Sequence, residues 1–470
     1  MVDQVHSRKQ RGGIAMDRRS VLGGMAGLTA AALAKPNVAR AAEKTLTVWW
    51  NQGFYAAENQ ALENIMNRWS KQSGVKVNLS MITGDALDQK VISALTTGDV
   101  PDLVYSDHGA AQQLPQAAWA GKLIDVSDVV DTQKHQFSDT ALKSSLYWDN
   151  IAKKRSYFGV PLKAQALNFP VWRTLVEKAG YQMSDIPKTW DKYFAFFEPV
   201  QDKLRAKGMR HVFGLGYTIS TTGADPYNLF NQAMIAYGGE GIVTPDGKYH
   251  PDDAKVQKAL VDTLNMLAIP FKKGYVPPDA LNWGDVDNNN AFHSKEVVMT
   301  PNDTISIETA VMNDKQLYYH DIVTMEMPLD NEGKKVPVLL SVPQAFIMKG
   351  AKNIDSAKSL LRYVIEPNNL NTYLKEALAR WLPIMPSIVK NDRSYWLDPK
   401  DQHRVAAITQ GVLGPTAPWP SAYNPGWAQV DATHQWDVAV SDVINGAKAE
   451  DAVTKTLAQI KPMFAKFNMG

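Results

Sequence analysis

Leu46-Thr47-Val48-Trp49-Trp50, with the Leu62, Ile65, Met66 and Trp69 that follow it, is the stretch that decides the fold. The first five residues make a short apolar β-type run. The next four recur at spacings of three and four, which puts them on one face of a helix. Gly74 ends that helix, and Val75-Lys76-Val77-Asn78-Leu79 alternates as a strand. Working outward, Leu87 to Thr97 reads as a second helix, Gly98-Asp99-Val100-Pro101 as a turn and Asp102-Leu103-Val104-Tyr105 as a third strand. Strand, helix, strand, helix, strand predicts an α/β layer with a mostly parallel sheet. Ligands of such sheets bind beyond the carboxyl ends of the strands. Those ends are Trp50-Asn51-Gln52 and Ser106-Asp107-His108.

The chain has 470 residues, which predicts two or three domains. At 45% hydrophobic and 21% charged, it can bury large cores. A single stretch is apolar enough to meet a membrane, so a multi-span membrane protein is excluded. A net charge of +2 without a block of like charges argues against a nucleic-acid partner. There is no cysteine, which removes disulfides, thiolate zinc sites, iron–sulfur clusters and cysteine nucleophiles together.

Residues 1–41 read as an address rather than as part of the fold. Arg18-Arg19 stand after Asp17, a weakly apolar run extends from Val21 to Leu33, and Ala39-Arg40-Ala41 offers small residues for cleavage. The run is too short to span a bilayer, which takes ~20 apolar residues. The order resembles a twin-arginine export signal, which implies delivery of a folded protein to the periplasm. This segment holds seven of the 50 Lys/Arg and two of the 48 Asp/Glu; the 43 basic and 46 acidic residues that remain give the mature chain a net charge of −3.

Beyond the first layer, the α/β alternation resumes after Gly159-Val160-Pro161. An ordered series of short motifs now accumulates: Gly98-Asp99-Val100-Pro101-Asp102-Leu103-Val104, Gly121-Lys122-Leu123-Ile124-Asp125, Tyr157-Phe158-Gly159-Val160-Pro161, Pro187-Lys188-Thr189-Trp190-Asp191, Ala236-Tyr237-Gly238-Gly239, Ala291-Phe292 through Val298-Met299, and Arg380-Trp381-Leu382-Pro383. With these motifs the mature chain resembles the extracellular solute-binding proteins of ABC sugar importers, the class that includes maltose-binding protein. The resemblance implies a two-lobed periplasmic binding protein fold with a hinge between the lobes. One lobe would hold 43–158 and 344–388, the other 159–342 and 389–470. It also implies capture rather than catalysis, no cofactor, a monomer, and ABC permease subunits as partners.

A sugar has apolar C–H faces and hydroxyls that each donate and accept. Its site needs flat aromatic rings beside Asp, Asn, Gln, Lys and Ser. Trp50, Asn51, Gln52 and Tyr55 supply such a set at one strand end, and Ser106, Asp107 and His108 another. Trp49 is expected in the core and Trp50 toward the ligand. Asp107 reads equally as a helix N-cap. Asp225 and Tyr227 flank Pro226 in an element that the resemblance places at the sugar cleft; Tyr227 also suits a core. Lys163 and Gln165 follow the first joint, where the resemblance implies a polar contact. Asn302 and Asp303 follow a strand and also read as turn formers. Trp283 lies in a loop near a joint, and Trp381, Trp419 and Trp427 lie in late loops that would cap a ligand. Asn302-Asp303-Thr304-Ile305 stands where close maltose-binding relatives carry a tryptophan, which argues against a long glucan. The expected cleft is mixed and close to neutral, favouring an uncharged sugar or polyol; Lys163 and His108 leave room for an acidic sugar.

Other readings stay open at this point. Asp285, Asp287, Asn289 and Glu296 fall on positions 1, 3, 5 and 12 of an EF-hand loop, although a helix starting near Asn288 explains them as well. A polyamine would take acids clustered between aromatics, and a phosphate-bearing solute would take arginines. A secreted carbohydrate-active enzyme needs two placed carboxylates. No G-x-S-x-G, H-E-x-x-H or G-x-x-x-x-G-K-[ST] motif occurs.

Overall fold

The structure, a computed structural model, describes residues 44–107, 109 and 113–469; the expected export signal and His108 lie outside them. The first layer forms as the alternation predicts. Strand β1 (Thr45–Asn51) leads to α1 (Ala56–Ser73), then β2 (Lys76–Ile82), α2 (Gly84–Thr97) and β3 (Leu103–Ser106). Gly74 ends α1 with φ of 69°, a left-handed conformation that costs glycine nothing. Strands β2 and β3 both pair parallel to β1, with Trp50 opposite Met81 and Tyr105. Two later strands complete this sheet antiparallel: β4 (Val160–Pro161) and, between it and β3, β9 (Gln344–Phe346).

The second sheet is mostly antiparallel. Its order is β8 (Ile322–Met325), β5 (Phe169–Trp172), β7 (Val297–Met299) and β6 (Phe213–Leu215). Three helices frame its cavity-facing end: α3 (Asp225–Ala236), α4 (Asp287–His293) and α5 (Ser306–Ala310). Each sheet has its own apolar core. Leu46, Val48, Trp50, Leu62, Ile65, Leu103, Leu360 and Leu374 lie in the first; Phe169, Val171, Trp190, Phe230, Leu260, Val298, Trp427 and Ile460 lie in the second. This is the two-lobed architecture that the motif series implies.

The chain crosses between lobes on extended segments. Residues 162–168 run from β4 to β5, and Gln165 pairs with Ser341 on a returning segment through backbone bonds of 2.9 and 3.1 Å. Ala164 pairs with Leu382 in the same way. Val160 and Pro161 pair in the first sheet, and Trp396, Ala407 and Ile408 pack in the first core. Among the described residues no helix is long and apolar enough to cross a membrane.

Candidate ligand-binding site

A cavity of about 370 Å³ opens where the two lobes face each other, within the size range of small-molecule sites. Its first wall consists of residues that directly follow the parallel strands: Asn51 and Gln52 at the end of β1, Thr83 and Gly84 after β2, and Asp107 after β3. Topology dictates this placement, because side chains just beyond the carboxyl ends of a parallel sheet meet no neighbouring strand. The facing wall comes from the second lobe. Ala224 and Asp225 start α3, Asp285 and Asn289 flank the start of α4, and Asn302, Asp303, Thr304 and Ser306 join β7 to α5. Gln165 on the crossing segment, with Phe54, Arg380 and Trp381, completes the lining.

Behind the first wall lies a buried ionic cluster. Glu58, in the first turn of α1, has no exposed surface. Its Oε1 accepts from Lys163 Nζ (3.1 Å), Trp381 Nε1 (3.0 Å) and Tyr373 Oη (3.2 Å). Its Oε2 accepts from Arg380 Nη2 (3.3 Å) and Nε (3.4 Å). Burial alone would raise the Glu58 carboxyl, but the charges of Lys163 and Arg380 prevail and hold it at about 2. Lys163 Nζ also lies 3.5 Å from Asp107 Oδ1 and 3.7 Å from the centre of the Trp381 ring. Asp107 in turn accepts from Tyr105 Oη at 2.5 Å and from Asn51 Nδ2 at 2.9 Å. The cluster thus fixes Trp381, Arg380 and Asp107 as cavity wall. Gly53 allows it, since a Cβ there would come within 2.7 Å of the Glu58 carboxyl carbon.

On the second wall, Asp285 Oδ1 caps the start of α3, accepting from Ala224 N at 2.6 Å and Asp225 N at 3.3 Å. Asn228 Nδ2 donates to Asp303 Oδ2. The Asp225 carboxyl is pushed well above its ordinary range by burial, and further by the charges of Asp303 and Asp285, with Asn288 pulling the other way. Tyr55 ties the lobes together: its hydroxyl meets Thr309 Oγ1 of α5 at 2.6 Å.

Of the residues singled out in the sequence, Asn51, Gln52, Asp107, Gln165, Asp225, Asn302, Asp303 and Trp381 line the cavity. The others do not. Trp50 is a core residue, 1% exposed and stacked on Tyr105 at 4.4 Å, while Trp49 is half-buried under Lys90. The expectation was inverted, because the period of two groups Trp50 with Leu46 and Val48 on the inner face. Tyr227 is buried in the second core, edge-on to Trp419. Trp419 Nε1 donates to Asp431 at 2.7 Å; Trp427 is fully buried near Phe464; the Trp283 carbonyl accepts from Ser220 at 2.6 Å. These four serve as packing and hydrogen-bonding residues of the second lobe. Ser106 is buried against Asp88, Lys163 sits behind the wall in the ionic cluster, and Tyr55 bridges the lobes.

The wall is also not neutral. Four aspartates and one arginine line it, and Lys163, behind the wall, pairs with only one of those aspartates, Asp107, besides Glu58. Nor is the 285–296 segment an EF-hand loop. Residues 287–293 are helical, and Asp287 accepts from Gly284 N at 2.7 Å. Among the described residues no three His, Cys, Asp or Glu are placed to hold a metal ion.

Sequence reasoning missed Glu58, Arg380 and Phe54. Glu58 had a signal: it shares the helical stripe of Leu62, Ile65, Met66 and Trp69. An acid on an apolar stripe needs a buried partner. Phe54, 58% exposed beside Gly53, is a large ring left at the cavity edge.

Known structures share this architecture. An ABC transporter solute-binding protein from Thermotoga lettingae TMO bound with alpha-D-tagatose matches with a TM-score of 0.71 at 19% identity, covering 90% of this chain and 100% of that one. Maltose-bound T. maritima MalE3 matches at 0.68 and 16%, covering 89% and 99%. A sugar transporter from Arthrobacter chlorophenolicus A6 with bound laminaribiose gives the same values, 0.68, 16%, 89% and 99%. The family model described as "bacterial extracellular solute-binding protein" matches residues 64–402, so the chain belongs to the bacterial extracellular solute-binding proteins, which bind solutes rather than transform them.

Proposed function

We propose that this protein is the substrate-binding component of an ABC importer, capturing a carbohydrate in the interlobe cavity and handing it to membrane permease subunits. The observation that carries the reading is the cavity itself. Amide and carboxyl side chains from both lobes converge there on one space, with the exposed ring of Phe54 beside them. That combination matches hydroxyls and C–H faces. The tagatose, maltose and laminaribiose bound by proteins of the same fold support it. A volume near 370 Å³ suits a mono- or disaccharide better than a long glucan.

Closure about the crossing segments completes the mechanism. Contacts made by both walls favour the closed form, and the permease recognises it. The lobes divide near 158–159, 342–344 and 388–389, the mature chain acts as a monomer, and the twin-arginine segment delivers it to the periplasm. The test is a calorimetric screen of residues 42–470 against mono- and disaccharides, with X-ray scattering on the same samples. Saturable binding with a fall in radius of gyration is expected. Chemical conversion of the sugar, or no binding and no contraction with any of them, refutes the reading.

A further inference from the structure

We infer that the solute of this cavity is a sugar carrying an ammonium group, an amino sugar, whose cationic nitrogen seats against Asp225 and Asp285. This rests on the carbohydrate reading above and narrows it. Charge accounting around the cavity leads there. Asp107 is answered by Lys163 at 3.5 Å and by donors from Tyr105 and Asn51. Arg380 is answered by Glu58 at 3.3 Å, so its charge is already matched from behind the wall. On the opposite wall stand Asp225, Asp285 and Asp303, and among the described residues no Lys, Arg or His pairs with Asp225 or Asp285.

Two further observations point the same way. Among the described residues Asp225 Oδ2 has no hydrogen-bond partner although its carboxyl also meets Asn288, and Asn289 Oδ1, at the third residue of α4, has none either. Acceptors left unmade in a wall are costly. The carboxyls of Asp285 and Asp303 are close enough to Asp225 to push it, on top of burial, toward its neutral form. A bound cation reverses that pressure, since an opposite charge within a few ångströms favours the ionised carboxylate. An ammonium brings three donors and the missing charge in one compact group. The remaining ring hydroxyls then meet Asn51, Gln52, Gln165 and Asn302, and a C–H face meets Phe54. A neutral hydroxyl supplies donors without the charge.

The experiment titrates residues 42–470 by calorimetry with matched probes: D-glucosamine, D-galactosamine and the glucosamine disaccharide against D-glucose, D-galactose, cellobiose and N-acetyl-D-glucosamine, with spermidine as a sugar-free cation. At least one amino sugar is expected to bind about tenfold or more tighter than its neutral partner, as charge-assisted pairing implies. That preference should shrink as salt rises to about 0.5 M, by screening. Asp285→Asn and Asp225→Asn should each remove most of the preference for the amino sugar over its neutral partner. Neutral sugars binding as tightly as amino sugars overturns the ammonium assignment and leaves the carbohydrate reading standing. Spermidine binding without any sugar, or no binding by either series, overturns both. Should Asp285→Asn fail to fold through its helix-capping role, Asp225→Asn and the salt series still decide.

Discussion

Glu58→Gln tests the buried ionic cluster and, with it, the wall that holds Trp381 and Arg380. In the native protein Glu58 is fully buried and its carboxyl is held at about 2 against an ordinary 4.5. That depression contributes roughly 3 kcal/mol at neutral pH, by linkage. The folded value lies below the unfolded one, so the contribution is complete above about pH 4.5 and disappears as pH falls through about 2. At pH 3 roughly 1 kcal/mol of it is left. The amide also leaves Lys163 and Arg380 without their carboxylate, and breaking a buried pair typically costs about 3–5 kcal/mol. Urea unfolding of residues 42–470 should therefore show the variant less stable by about that amount at pH 7, with the gap narrowing by about 2 kcal/mol at pH 3. A gap of equal size at both pH values, or a variant as stable as the parent at pH 7, refutes the assignment of Glu58 as the ionised anchor.

Trp50→Ala should destabilise the fold by about 3–5 kcal/mol, because it empties a core site, and a urea midpoint close to the parent's contradicts that placement. Phe54→Ala should leave stability within about 0.5 kcal/mol and weaken carbohydrate affinity about tenfold, read by calorimetry; unchanged affinity removes Phe54 as a sugar platform. Gly159→Ala should cost about 1–3 kcal/mol by overpacking, because its Cβ would fall 1.8 Å from Gln344 Oε1, inside a side chain already bonded to Ser144 and Tyr147; a neutral effect in urea unfolding shows that Gln344 yields.

Much of this site was legible in the sequence, and the parts that were not have physical reasons. The strand–helix alternation from Leu46 to Tyr105 fixed the first sheet, and the rule about carboxyl ends led to Asn51, Gln52 and Asp107, which do line the cavity. Trp50 was misplaced because its size and position beside Asn51 outweighed the simpler fact that Leu46, Val48 and Trp50 share a parity. Tyr227 follows Asp225 by two positions on a helix, so the two side chains point about 200° apart, and one meets the cavity while the other meets the core. Charge balance was invisible for another reason. Lys163 neutralises groups distant in the chain, Glu58 and Asp107, and no local pattern says which acids a lysine will meet. Arg380 falls within the Arg380-Trp381-Leu382-Pro383 motif, yet its role depends on α1 lying beside it.

Lys163 carries a mechanical consequence. It sits at the root of an extended segment that crosses between the lobes, yet its ammonium is clasped by Glu58, Asp107, Tyr105, Tyr373 and Trp381, all on one side. Such a grip makes that root a fulcrum. Rotation of the far body has to be absorbed beyond it, over Ala164 to Asn168 and the neighbouring Ser341-Val342-Pro343 ribbon. In the closure proposed above, side chains farthest from the fulcrum would sweep the longest arc, so the rim would travel while the floor beside Trp381 stays in place.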